Sequence, residues 1–182
     1  MASFQVPTRS EVSENNQAIF DNLKGKLGFV PNLYAFYAHS DTALGDYLNF
    51  SGRQSSLSNK EKEVINLVTS QVNDCDYCQA AHTALGKMNG FTDEQILEIR
   101  GGKASFDAKL NALAKLTASI VSNRGRASEE AINNFLAAGY TNGNLVDAIV
   151  QVGDKTISNY LHNLSQIPVD FPAAPSLEST AV

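Results

Sequence analysis

No stretch of this 182-residue chain alternates apolar and polar side chains with period two. Apolar residues recur instead three and four positions apart, the spacing of helices with one buried face. Val12, Ile19, Phe20, Leu23 and Leu27 form one such set, Leu44, Tyr47 and Leu48 another, and Val64, Ile65, Leu67, Val68 and Val72 a third. Start and stop signals fall between them. Ser10 is the expected cap of the first helix and Gly28 its end; Pro31 opens a short segment over 32–37, and Ser40 or Asp41 caps the next helix. Ser58-Asn59-Lys60-Glu61 and Thr92-Asp93-Glu94-Gln95 each read as a capping box, in which side chains three residues apart satisfy free amides reciprocally. Asp74 is the expected cap of a helix over about 75–88, stopped by Asn89-Gly90. Gly101-Gly102 is the widest break, and further helices are expected over 105–122, 128–138 and 142–164. The expected fold class is all-α, a helical bundle.

One helical domain is expected over 1–165, followed by a Pro-rich tail over 166–182 that contains Pro168, Pro172 and Pro175. Proline cannot continue a helix, so the tail is expected as an extended strap or as partly disordered chain. A weak internal repeat runs at an offset of 49 residues, with halves of about 57–99 and 106–148. It matches Lys60 with Lys109, Leu67 with Leu116, Gly90-Phe91-Thr92 with Gly139-Tyr140-Thr141, and Ile96-Leu97-Glu98 with Leu145-Val146-Asp147. The reactive residues do not repeat: Glu63 aligns with Ala112, Cys75 with Arg124, Cys78 with Ala127 and His82 with Ala131. One half is therefore expected to carry chemistry and the other scaffold.

Composition narrows the function classes. At 43% hydrophobic residues the chain can build a proper core, unlike a disordered or disulfide-stapled chain. A net charge of −5 with only 14 Lys+Arg and no basic run argues against a nucleic-acid partner. No apolar stretch reaches the length of a membrane helix, and the N-terminus lacks a basic region followed by an apolar run. A cytoplasmic, reducing compartment is expected. Charged residues make up 18%, below the usual ~25%, which hints at surface buried in a homo-oligomer.

In a reducing compartment, two cysteines alone in the chain, Cys75 and Cys78, point to redox or metal chemistry rather than to a structural staple. Three apart, they are neighbours on a helix surface. They sit in a first turn, where free amides and the helix dipole favour a thiolate. His82 lies one turn past Cys78 and can take its proton. Glu63, on the preceding helix, is within reach if the two helices form a hairpin. Asp74 and Asp76 flank Cys75 and raise its pKa, so Cys78 is the expected attacking sulfur and Cys75 the resolving one. Other readings stay open. Cys75, Cys78, His82 and Glu63 could bind one metal, although two positions on one turn plus a distant acid is an unusual zinc frame. Buried inert cysteines and a solvated Glu63 are the remaining alternatives.

Glu63, eleven intervening residues, Cys75-x-x-Cys78, three more and His82 resemble the active-site motif of the alkylhydroperoxidase D family, within the carboxymuconolactone decarboxylase superfamily. Gly28-Phe29-Val30-Pro31-Asn32-Leu33-Tyr34 and Pro168-Val169-Asp170-Phe171-Pro172 resemble segments of its peroxidase-related members. The resemblance covers about 11–172. It implies a duplicated all-helical fold, a homo-oligomer (trimer or hexamer), and reduction of hydrogen peroxide or organic hydroperoxides through a dithiol/disulfide cycle. It assigns peroxide attack to Cys78, resolution to Cys75, proton acceptance to His82, and orientation and relay to Glu63. Tyr77 stands where the best-known members carry a second histidine, and is a candidate relay. No resident cofactor or metal is implied; electrons come from an external dithiol, a thioredoxin-like or lipoyl-bearing protein. The alternatives are a metal- or redox-sensing module without turnover and a decarboxylase-like enzyme. Of the other residues, His39 is expected at the surface or as a cap and His162 as a half-buried, satisfied histidine. Phe29, Tyr34, Phe36, Tyr37 and Tyr47 are expected in the core or at subunit contacts.

Overall fold

The computed structural model describes residues 4–177. A 3-10 turn at Arg9–Glu11 precedes α1 (Glu14–Leu27), α2 (Asn32–Tyr37), α3 (Ala43–Ser51), α4 (Asn59–Val72), α5 (Asp76–Met88), α6 (Asp93–Arg100), α7 (Ala108–Ser122), α8 (Glu129–Ala137) and α9 (Asn142–Ser165). Among the described residues no strand forms, and no helix is long and apolar enough to cross a membrane. The chain is an all-α helical bundle, as its periodicity requires.

Both capping boxes close. Ser58 Oγ accepts from the Glu61 amide at 3.3 Å while the Glu61 carboxylate takes the Ser58 amide at 2.8 Å; Thr92 and Gln95 do the same at 3.2 and 3.0 Å. The start of α1 differs from expectation. Thr8 and Glu11 form their own capping box around the 3-10 turn, which takes up Ser10, and Ser13 caps α1 by accepting from the Asn16 amide at 3.4 Å. Val12 therefore lies ahead of the helix whose face it was expected to share. Ser40 Oγ accepts from the Ala43 amide at 3.3 Å at the entry to α3. Helix α7 starts later than expected because the Asp107 carboxylate caps it, accepting from the Lys109 and Leu110 amides.

The chain divides into two compact units. One runs to Gln54 and includes Leu161–Asp170. In it Tyr37 stacks on Tyr47 with ring centroids 4.5 Å apart, and Phe36 packs edge-on against Phe4. The Asn32 amide donates to the Asp170 carboxylate at 2.7 Å, and its side chain donates to the Pro168 carbonyl at 3.1 Å. Those contacts join the two outlying segments noted in the sequence. His39 is exposed and bonded to the Gln5 carbonyl. His162 is buried, more so than expected, with Nε2 bonded to the Ile167 carbonyl.

The other unit comprises Ser55–Tyr160 and, among the described residues, 171–177. Its core is built from Val64, Ile65, Leu67 and Val68 of α4, Ile96 and Ile99 of α6, Leu113 and Leu116 of α7, Phe135 of α8 and Ala148 of α9. Helix α4 packs against α5, α6 and α7, and α7 against α8. Helices α4 and α7 start 49 residues apart, as do α6 and α9. Gly90 and Gly139, at the turns before α6 and α9, both have positive φ, 87° and 92°, a conformation glycine adopts without a Cβ clash. In the tail, residues 166–177 are not helical. Phe171 packs edge-on against Tyr77 at 5.6 Å, and the Pro175 carbonyl accepts from Arg100 at 2.6 Å. Residues 178–182 of the expected tail lie outside the described residues.

Candidate active site

A tight turn places the two sulfurs. Asn73 ends α4, and Asp74 follows with φ 50°. The Asp74 amide donates to the Gln71 carbonyl at 3.1 Å and the Cys75 amide to the Ser70 carbonyl at 3.0 Å. That pair of bonds is a Schellman closure, and aspartate is one of the few side chains that tolerate its left-handed position. Asp74 is thus spent on ending α4. The N-cap of α5 is Cys75, with extended backbone (φ −105°, ψ 98°), one residue later than the sequence suggested. Its carbonyl accepts from the Gln79 amide at 2.9 Å. Cys78 then falls in the first turn and His82 one turn further along the same face.

All four motif side chains are buried: Cys75 is 0% exposed, Cys78 2%, His82 6% and Glu63 8%. Both cysteines are free thiols. They are hydrogen-bonded to each other, and the bond splits their acidities. Cys75, acting as the S–H donor, is pushed well above the ordinary thiol range, first by that bond and then by burial. Cys78, receiving the bond, is pulled below it; burial opposes this, while the charges of Lys155 and His82 and a hydrogen bond from Asn159 assist. The first cause of this split is the S–H···S bond, and the flanking aspartates are not among its causes.

Glu63 Oε2 and His82 Nδ1 meet at 2.8 Å. Burial pushes the Glu63 carboxyl up, but His82, Lys155 and a hydrogen bond from Asn66 outweigh it and hold the carboxyl below its usual value. The Asn66 side chain donates to Glu63 Oε1 at 3.0 Å and accepts at its own oxygen from Gln151 at 2.8 Å. With Nδ1 engaged by an ionised carboxylate, Nε2 is the imidazole nitrogen left to exchange a proton. Tyr77 is buried, its ring against Phe171. Gln79, next after Cys78, accepts at Oε1 from Arg100 at 2.9 Å, and Arg100 also holds Gln71 and Pro175. Among the described residues no group of three or more His, Cys, Asp or Glu is placed to hold a metal ion.

The sequence reading did not single out the residues that α9 brings to this cluster. Gln151, Lys155 and Asn159 are four apart on one helical face, and all are buried. Asn159 donates to Ser70 Oγ at 3.4 Å and accepts from Asn73 at 3.0 Å. The available signal was a polar stripe at helical spacing on a helix long enough to be packed.

Three of the most similar solved structures share this fold across both chains' lengths. A peroxidase-related protein from Ralstonia eutropha JMP134, described as an alkylhydroperoxidase AhpD core, superposes with a TM-score of 0.82 at 19% identity, covering 92% of this chain and 91% of that one. A peroxidase-related protein from Silicibacter sp. TM1040 gives 0.78 at 21% identity, over 94% and 91%. The debrominase Bmp8 gives 0.74 at 11% identity, over 90% of each chain. The bundle is thus the alkylhydroperoxidase D-like fold. Residues 37–118, which include all four motif residues, match the carboxymuconolactone decarboxylase family. Among curated proteins, no sequence matches the chain significantly.

Proposed function

We propose that this protein is a thiol-dependent peroxidase that reduces hydrogen peroxide or organic hydroperoxides through Cys75 and Cys78. The observation that carries the reading is the buried 2.8 Å Glu63–His82 pair in the same helical hairpin as two buried free thiols, with Cys78 one turn ahead of His82. His82, oriented by Glu63, takes the Cys78 proton. The thiolate attacks the terminal oxygen of the hydroperoxide; an S–O bond forms, the O–O bond breaks, and the alkoxide leaves as alcohol with the proton from His82. The resulting Cys78 sulfenic acid is attacked by the Cys75 sulfur, forming a disulfide and releasing water. Two electrons from an external dithiol, on a thioredoxin-like or lipoyl-bearing protein, restore both thiols by exchange. No resident cofactor takes part. Tyr77, between the two sulfurs in sequence, is the further candidate for proton relay. The working form is a homo-oligomer, a trimer or hexamer, in a reducing cytoplasm.

Peroxide consumption with a dithiol reductant tests this. Turnover should vanish in Cys78→Ser and slow in His82→Ala and Glu63→Gln. Bound zinc without turnover would replace the reading with a metal sensor. An activity that survives loss of both cysteines would replace it with decarboxylase-type chemistry.

A further inference from the structure

We propose that Lys155 is a positioning residue of the dithiol site, a buried ammonium on α9 that balances the Glu63 carboxylate so that Cys78 can ionise without leaving excess negative charge in the protein interior. The inference rests on the reading of Cys78 as the attacking sulfur and adds a charge partner contributed from 73 residues beyond His82 in the chain.

The placement is geometric. Lys155 is only 8% exposed. It sits midway between two residues of the same helical face whose contacts bracket the site. One turn before it, Gln151 reaches Asn66 at 2.8 Å, and through it Glu63. One turn after it, Asn159 engages Ser70 and Asn73, the residues that close α4 just ahead of Cys75. Lys155 lies between those anchors, and its charge acts on both Glu63 and Cys78.

Charge counting gives the reason. Before proton transfer the cluster holds a carboxylate at Glu63, an ammonium at Lys155, a neutral imidazole and a thiol, and is neutral. After the Cys78 proton moves to His82 it holds two negative and two positive groups, and is neutral again. Without Lys155 both states carry one uncompensated negative charge in a buried setting, and the second state also loses the attraction between the ammonium and the new thiolate, which is what disfavours ionisation. The groups facing Cys78 are Cys75 and His82 from α5, Glu63 from α4 through His82, and Lys155 from α9. Asp154, also buried, precedes Lys155 and lies about 100° round the helix.

The test is the pH dependence of Cys78 alkylation in the reduced full-length protein, with iodoacetamide as probe and peptide mass spectrometry to separate the two cysteines. In Lys155→Met the midpoint should move up by about one pH unit, with about tenfold slower alkylation below it. Lys155→Arg, which keeps the charge, should retain the wild-type midpoint. An unshifted midpoint in a folded Lys155→Met protein overturns the proposal, as does an equal shift in both variants. Should Lys155→Met not fold, the double variant E63Q/K155M, which removes one charge of each sign, is compared with E63Q. A higher midpoint in the double variant supports the proposal and an equal one refutes it. Alkylation needs no peroxide turnover. A wild-type protein inert to peroxide would sink the peroxidase reading and leave this result standing, whereas faster alkylation of Cys75 than of Cys78 would remove the basis of both.

Discussion

Glu63→Gln removes the carboxylate charge while keeping the shape, although its one amide oxygen can accept from His82 or from Asn66 but not from both. The 2.8 Å contact joins side chains only 8% and 10% exposed, so water screens it weakly. A hydrogen bond between charged groups is worth about 1.5–3 kcal/mol, and a neutral one about half that. The substitution should therefore cost the imidazolium–thiolate state about 1.4 kcal/mol relative to the imidazole–thiol state, close to a factor of ten. Second-order rate constants of reduced Cys78 with hydrogen peroxide and with iodoacetamide, measured by stopped flow near neutral pH, should both fall about tenfold. Parallel losses with the two electrophiles would place the effect on thiolate formation. The reasoning is refuted if the folded variant reacts within about twofold of wild type; Glu63 would then only brace the α4–α5 packing.

Three further outcomes are expected. Because its carboxyl is held below its unfolded value, Glu63 contributes stability that is complete above that value and is lost as pH falls through the lower, folded one. Glu63→Gln should accordingly show a shallower loss of thermal stability on acidification than wild type, read by circular dichroism melts at stepped pH. Cys75→Ala removes the S–H donor that does most to favour the Cys78 thiolate, so the Cys78 alkylation midpoint should rise; an unchanged midpoint would show that the neighbouring thiol is not what lowers it. Arg100→Ala and Phe171→Ala each loosen the tail segment that packs on Tyr77 and bonds to Arg100, so both buried sulfurs should react faster with a bulky aromatic disulfide reagent, with little change toward hydrogen peroxide.

The parts of the fold written in local chemistry were legible. Ser58 with Glu61 and Thr92 with Gln95 carry their partners three residues away, so spacing alone located α4 and α6. The start of α1 was not, because Thr8, Ser10 and Ser13 are all plausible caps and only the closed Thr8–Glu11 box decides which remains for the helix. Asp74 was misread for a similar reason: an acid before a helix normally caps it, but here the left-handed closure of α4 claims that residue first. In the site, Glu63, Cys75, Cys78 and His82 fall within 20 residues, and two helices suffice to gather them. Lys155, Asn159 and Gln151 arrive from a helix whose packing is long-range, which no local pattern states. The acidity split between the sulfurs depends on one thiol donating to the other, and sequence separation cannot say which way an S–H points.

Cys75 closes one helix and opens the next, with its amide tied to Ser70 and its carbonyl to Gln79. Movement of that sulfur is thereby left to side-chain torsion, since shifting the main chain would undo the ends of two helices together. The oxidised and reduced proteins should then share one backbone course, and a reducing partner would meet the same relief in either state. It would have to tell them apart by whether a bond is there to break.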